Sequence, residues 1–405
     1  MDRIILHCDC NCFYASCELL SHPDLRQLPV AVCGDPTERH GIILAKNEPA
    51  KRCGVKTAET IWKAKQKCPG LILLPPHHRL YAEYSKKINA VYGEYTDLVE
   101  PFGIDESWLD VTNSLHLFGG DARALADTLR GRIKREFGLT ISVGVSFNKV
   151  FAKLGSDYKK PDGTTVFSRE NFKQRVWSLP ANTLLYVGKR ASDRLNRLGV
   201  RTIGELAACD PAFIHSILGK NGDLLLRYAR GEDDEPVRSF YAEREVKSVG
   251  NSMTFAHNLL GADECRMGIT ALCDNVGRRL RKRGMVCQTV QLGIRDPEFH
   301  NRSRQITLER PTNSTRALID LSMQLLLGHW PMDKPVRLLS VTAANLLPEN
   351  QSCEQLSLFD AAEDIQKRDR QHKLDQTVDA LRQKFGDKSV VFAHSVKKKD
   401  KMDKE

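Results

Sequence analysis

Apolar and polar positions along this chain change period at identifiable places. "RIILHC", residues 3–8, is a short continuous apolar run of strand length, and "NCFYASCELL" behind it switches to helical spacing. Asp9 therefore stands where a strand turns into a helix, and in α/β architecture ligands gather at the carboxyl ends of strands. "LPVAVCG" reads as a second strand, and "TERHGIILAKNEPAKRCGV" as a loop and helix rich in Lys and Arg. "LVEPFGIDESWLDVT" reads as a β-hairpin with its turn around Ile104–Glu106. Ala122, Leu125, Ala126, Leu129, Ile133 and Phe137 recur on one face of an amphipathic helix. "LTISVGVSF" is the next strand. This βα…ββαβ order predicts an α+β core: an antiparallel or mixed sheet with helices on one face.

Beyond residue 167 the texture changes. "LLYVGKRASDRLNRLGVRTIGELAACD" gives helix, turn at Leu198–Gly199–Val200, helix. Gly199 suits the left-handed turn position, and the hairpin would offer backbone N–H groups to a phosphate. An ordinary helical hairpin has the same pattern. "GEDDEPVRSFYAERE" is acidic and non-periodic, as a linker is. A second set of elements follows, predicting a separate βαββαβ domain: a helix at Cys265–Gly284, strands "QTVQLGIRD" and "RSRQITLER", a helix near Ser314–Leu327 and a strand at "VRLLSVTAANL". Arg302 and Arg304, spaced by two on a strand, share one sheet face and would leave it basic for a phosphate backbone. Leu374, Val378, Leu381 and Phe385 share one face of a further helix, expected to pack on this domain.

Composition narrows the class. At 405 residues the chain is too long for one ordinary domain. No apolar run approaches the ~18 residues of a membrane span, and "MDRIILHCD" is too short and acidic for a signal peptide. A cytoplasmic protein without membrane contact is expected, with the 12 cysteines as reduced thiols. The net charge of +10 suits a nucleic-acid partner or a solvated basic surface, and "RRLRKRG" at Arg278–Gly284 is the densest cluster. The closing "KKKDKMDKE" reads as a solvated end.

Two clusters carry candidate chemistry. Cys8, Cys10 and Cys12, spaced by two, would share one face of an extended segment opposite Asp9 and Asn11, with His7 on the other face. Tetrahedral zinc favours Cys-x₂₋₄-Cys pairs, so packed thiols fit this spacing better than a metal cage. Asp105 and Glu106 are adjacent, and at a hairpin turn both carboxylates can converge. With Asp9 they would form a cage for two hard divalent ions; capping of the hairpin is the plain alternative.

"DCNCFYASCE", "FGIDESWLDVT", "SVGVSFNKVFAKLGSDYKKPDG", the helix–hairpin–helix and "KSVGNSMTF" occur in the order and at the intervals of Y-family translesion DNA polymerases. The chain resembles their polymerase IV-like (DinB-type) branch up to about residue 360, with UmuC-like features in "AKNEPAKRCGV". The resemblance implies a multidomain α+β polymerase: palm (1–10 and 78–166), fingers (11–77), thumb with helix–hairpin–helix (167–234), linker (235–243) and little finger (244–350). Asp9, Asp105, Glu106 and the Cys10 carbonyl would hold two Mg²⁺. Tyr14 matches the steric gate against ribonucleotides, and Lys160 the lysine that meets the triphosphate. Gly199, Arg302 and Arg304 would touch the DNA backbone. The implied enzyme is a non-proofreading DNA polymerase that adds dNTPs to primer–template DNA as a monomer.

Departures qualify this. Asn11 replaces a common second Asp. Ala45, Glu48 and Lys51 stand where relatives often have Thr, Tyr and Arg on the triphosphate, so Lys46, Lys51 or Arg52 would take over. In the segment 351–405, "EQLSLFD" resembles the bacterial sliding-clamp peptide, with Gln355 as polar anchor and Leu358 and Phe359 as apolar plugs. A clamp-tethered DNA-binding protein with weak or lost polymerase activity is the alternative, and a nucleotide cyclase on a similar palm a third.

Overall fold

The computed structural model describes residues 2–36, 41–242, 245–351, 362–387 and 389–392. They fall into two compact units, Met1–Glu243 and Arg244–Glu405. The first unit begins β1 (Ile5–Cys10), α1 (Phe13–Glu18), β2 (Val30–Cys33), β3 (Ile43–Lys46), α2 (Glu48–Arg52), α3 (Ile61–Lys67) and β4 (Ile72–Leu74). It continues α4 (His78–Gly93), β5 (Val99–Pro101), β6 (Glu106–Asp110), α5 (Ala122–Phe137), β7 (Ile141–Ser146), α6 (Lys149–Tyr158) and β8 (Thr164–Phe167). Five helices close it: α7 (Phe172–Val176), α8 (Lys189–Arg197), α9 (Ile203–Ala208), α10 (Pro211–Leu218) and α11 (Lys220–Arg230).

Five strands form a mixed sheet in the order β5-β6-β1-β7-β8, with only β7 and β8 parallel. All six residues of β1 are buried because both faces of the sheet are covered. Leu6, Cys8 and Cys10 join the core under α4 and α5 with Tyr81, Leu125, Leu129 and Ile133. On the other face Ile5 packs with Ala152 of α6, and His7 Nδ1 lies 2.8 Å from Ser156 Oγ. The expectation of helices on one face is thus corrected. Helix α6 can lie there because β7 carries Gly144: a Cβ at that position would stand 1.9 Å from the Ala152 carbonyl oxygen. The helix on "NKVFAKLG", the helices α3 and α4 and the short strands β3, β4 and β8 are not among the expected elements.

A smaller sheet, β3-β2-β4, closes over Ala31, Cys33, Ile43 and Leu71. The five closing helices bury Leu195, Ile203, Leu206 and Leu225 around Phe147, Phe151 and Phe167. Gly199 takes the expected left-handed conformation at φ 80° between α8 and α9. Its N–H is already used by the Asn196 carbonyl, however, and Glu205 caps the N–H groups of Arg201 and Thr202. The turn therefore does not offer the row of free donors expected of it. Nor is residue 235 the start of a detached linker. Arg3 holds the carbonyls of Asp233 and Glu235, Val237 is buried, and the N–H of Phe240 donates to Asp97.

The second unit is βαββαβ as expected: β9 (Ser248–Leu259), α12 (Gly261–Arg281), β10 (Met285–Arg295), β11 (Asn301–Thr312), α13 (Thr315–His329) and β12 (Val336–Pro348). Its strands run antiparallel in the order β11-β10-β12-β9, and α12 and α13 cover one face. Arg302 and Arg304 sit opposite Ile294 and Leu292, two residues of that covered core. They therefore project on the helix side of edge strand β11, with Arg302 over the Trp330 ring at 5.6 Å. The open face carries Ser252, Gln291, Ser303, Ser340 and Thr342, with Arg295 near its end, so Arg302 and Arg304 do not make it basic as expected. Alternation says which residues share a face, not which face a helix will cover.

A final helix, α14 (Ala362–Phe385), lies along α12. The apolar stripe expected to pack does not: Leu374, Leu381 and Phe385 are 54, 39 and 63 % exposed. Gln355, Leu358 and Phe359 lie outside the described residues. Among the described residues no helix is long and apolar enough to cross a membrane.

Candidate active site

Strand pairing brings the carboxylates together. Asp9 of β1 sits directly opposite Glu106 of β6, and directly opposed residues point to the same side of a sheet. The hairpin turn ends at Asp105, whose carbonyl accepts from the Cys10 N–H at 3.0 Å. Asp9, Asp105 and Glu106 line one cleft of about 500 Å³ together with Tyr14, Lys51 and Lys160. Six residues separated by as many as 151 positions thus meet at one cleft.

The same face meets a ladder of lysines from α6 and the loop after it. Lys149 Nζ donates to Glu100 at 2.9 Å, Lys153 Nζ to Glu106, and Lys160 Nζ to Asp9 at 2.6 Å. The three ammonium-bearing chains are 5, 16 and 26 % exposed, so the ladder opens toward the cleft. Asp157 lies 2.8 Å from Lys160 and 3.9 Å from Lys153. From β1, His7 Nε2 stands 3.2 Å from Glu106 Oε2.

These contacts set the charges. Burial pushes the Asp9 carboxyl up to about 6 against the pull of Lys160. Burial and the charge of Glu106 also raise Asp105. Burial would raise Glu106 too, but His7 and Lys153 outweigh it and leave it at about 2. Lys160 loses by burial and gains more from Asp9 and Asp157, so its ammonium is held above the ordinary range. Burial drives His7 down to about 4, which leaves it neutral near pH 7.

Among the described residues, no three or more His, Cys, Asp or Glu are gathered as a metal-binding cluster. Asp9 and Glu106 instead hold ammonium groups. With Asp105 they are partly desolvated oxygen donors at one cleft, the donor type a hard divalent ion takes. The cysteines do not compete for this role. Cys8 and Cys10 are in the core, and burial lifts the Cys8 thiol to about 12 and the Cys10 thiol well above its ordinary range. Cys12 leaves their face, because the chain turns after Cys10. It caps α1 in the left-handed region and faces Glu48 at 3.6 Å.

Tyr14 projects from α1 into the cleft, and its ring stacks on Tyr81 at 4.1 Å and 13°. Asn11, where a second Asp was expected, ties two pieces of backbone together. Its amide donates to Ser142 Oγ at 2.9 Å, and its carbonyl accepts from the Asp162 N–H at 2.9 Å, in the loop that carries Lys160. On the side of β3 and α2, Lys51 Nζ is 3.3 Å from Glu48, and Lys46 Nζ donates to Thr57 at 2.9 Å. Sequence reasoning missed His7, Lys149 and Lys153. The signal available was the i, i+4 spacing of Lys149, Lys153 and Asp157 on one helical face.

Comparison with known proteins agrees in extent and order. Residues 8–157 match the impB/mucB/samB family, and residues 246–358 match the C-terminal domain of that family. The DNA polymerase IV of Acetivibrio thermocellus is 48% identical over 390 residues, 96% of either chain. The DNA polymerase IV of Pelotomaculum thermopropionicum is 38% identical over 97% of this chain and 95% of its own. DNA polymerase IV 1 of Bacillus subtilis is 36% identical over 98% and 94%. Among solved structures, the Y-family DNA polymerase chimera Dbh-Dpo4(243-245)-Dbh shares the fold, with a TM-score of 0.74 at 24% identity, over 85% of this chain and 99% of that one.

Proposed function

The chain belongs to the impB/mucB/samB family of Y-family DNA polymerases, in company with the DNA polymerase IV proteins, and from that premise we propose how it carries out template-directed DNA synthesis of the translesion class. The reaction is attack of a primer 3′-hydroxyl on the α-phosphate of a dNTP, with release of pyrophosphate. Phosphoryl transfer of this kind needs position and charge neutralisation rather than a covalent nucleophile. The observation that carries the assignment is the paired placement of Asp9 and Glu106, with Asp105 at the turn beside them.

Asp9, Asp105, Glu106 and the Cys10 carbonyl would hold two Mg²⁺, which supply hydroxyl activation and neutralise the phosphates when bound. Lys160 and Lys51 face the same cleft and serve the triphosphate charge. The Tyr14 ring lies flat against Tyr81 at the cleft, and as the steric gate it would leave no volume for a ribose 2′-hydroxyl. We assign 1–10 and 78–166 to the palm, 11–77 to the fingers, 167–234 to the thumb and 244–350 to the little finger. The separate three-stranded sheet within 11–77 supports the fingers boundary. Residues 235–242 go with the first unit on contacts, although they connect the two. Gln355, Leu358 and Phe359 would dock a monomeric polymerase on a bacterial sliding clamp.

Primer extension with Mg²⁺ tests the reading. The wild type extends a primed template, and Asp105→Ala abolishes extension while leaving primed-DNA binding in place. Wild-type protein that binds primed DNA but adds no nucleotide would return the assignment to a DNA-binding protein. Leu358→Ala with Phe359→Ala should spare extension on short templates and lose stimulation by the clamp.

A further inference from the structure

Helix α14 is fastened to the second unit by charge, not by its apolar residues. Arg382 Nη1 donates to both oxygens of Asp274 at 2.9 and 2.8 Å. Arg281 grips Asp379 through Nε at 2.7 Å and Nη2 at 3.1 Å, and Arg278 reaches Asp387 at 2.5 Å. Asp375 accepts from the Thr315 N–H, at the start of α13, at 3.1 Å and lies 3.5 Å from Arg281. A cleft of about 630 Å³ remains between α12 and α14, lined by Arg278, Arg279, Lys282 and His372 among others.

We propose that the basic end of α12, Arg278 to Arg283, is a binding surface for the nucleic-acid phosphate backbone, and that α14 is a displaceable strap whose carboxylates stand where phosphates go. The sequence puts Arg278, Arg279, Arg281, Lys282 and Arg283 within six positions. A guanidinium fork takes a carboxylate or a phosphate with the same two parallel donors. The first N–H of the 15-residue helix α13 favours either anion for the same reason. The strap is releasable because its contacts are ionic. On undocking, Arg281, Arg382, Asp375 and Asp274 regain hydration, which offsets much of the lost attraction. A helix docked by Leu374 and Phe385 would have no such return. Nucleic acid is the occupant favoured by the chain's net charge of +10 and by a family that works on DNA. DNA binding is read without nucleotide addition, so this inference stands or falls separately from the polymerase assignment.

The test is Arg382→Glu in the full chain, which sets a carboxylate against Asp274 and makes the protein more acidic by two charges. Bulk charge alone would weaken DNA binding. The strap predicts the reverse: new tryptic cleavage within α14, and binding of a short blunt duplex about 3- to 10-fold tighter near ~0.1 M salt, with a salt slope steeper by about 2 as Arg278 and Arg281 gain phosphates. Adding Arg278→Ala and Lys282→Ala should cancel the gain. Cleavage of α14 without tighter binding, an α14 that stays protected, or a gain that survives loss of Arg278 and Lys282 would each overturn the proposal. Equal competition by polyglutamate of matched charge would reassign the surface to acidic protein.

Discussion

Lys149 is the buried anchor of the lysine ladder, and its removal makes a quantitative test of the architecture. Its Nζ lies 2.9 Å from Glu100, 3.3 Å from Glu235 and 4.6 Å from the Trp108 ring centroid, and the Lys149 and Glu100 side chains are 5 and 9 % exposed. Lys149→Met keeps most of the side-chain volume and leaves the Glu100 carboxylate buried without its counter-ion. Stranding one member of a buried pair costs about 3–5 kcal/mol. The Arg238 N–H still donates to Glu100 at 3.0 Å, which places the expected cost near the lower end, about 3 kcal/mol. For a unit of this size that is a fall of about 6–12 °C in melting temperature. Calorimetry and urea unfolding followed by circular dichroism measure it. Glu100→Gln added to Lys149→Met removes the stranded charge and should recover more than half of the loss. A single variant within about 1 kcal/mol of wild type, or a double variant no better than the single, would show that the pair is not desolvated and would refute the reasoning.

Three further outcomes are expected. Gly144→Ala forces a Cβ into the Ala152 carbonyl and should destabilise the first unit by about 3 kcal/mol or more, measured by the same melts. Tyr14→Ala should raise ribonucleotide incorporation in primer extension; unchanged sugar selectivity would move the gate elsewhere. In metal-free protein, Asp9 and His7 oppose each other on acidification. Burial raises Asp9 from 3.8 to about 6, so the folded state takes that proton first and gains stability as pH falls through 6. Burial lowers His7 from 6.5 to about 4, so the unfolded state takes its proton first and stability falls below pH 6.5. Urea melts in EDTA should therefore change little for the wild type between neutral pH and about pH 5, while Asp9→Asn loses about 2 kcal/mol. A parallel loss in both proteins would contradict the opposing pair.

The parts of the fold legible in sequence are those set by local period. The strand that delivers Asp9, the "IDE" hairpin, the α5 face and the βαββαβ order all follow from spacing that the structure repeats. What was not legible depends on which face a distant element covers. Arg302 and Arg304 share a face, as their spacing by two requires, yet register with Ile294 and Leu292 puts them on the helix side. Leu374, Leu381 and Phe385 form a stripe, but α14 docks through the neighbouring Asp375, Asp379 and Arg382, whose partners lie 60 to 108 residues away. At the candidate site the motifs named the carboxylates and Tyr14, which line one cleft. They said nothing of Lys153 or His7, since a lysine on a helix reads as solvated until the sheet behind it is known.

The gradient of exposure along the lysine ladder has a kinetic consequence. The Lys149 end of α6 is sealed in the core, whereas Asp157, Tyr158 and Lys159 at the other end are exposed. Local opening begins where contacts are fewest. The mouth of the cleft should therefore breathe many times for each opening of the unit behind it, with amide exchange fast near Lys160 and slow near Lys149. On warming, the protein would stop aligning substrate at a temperature where its fold is still intact.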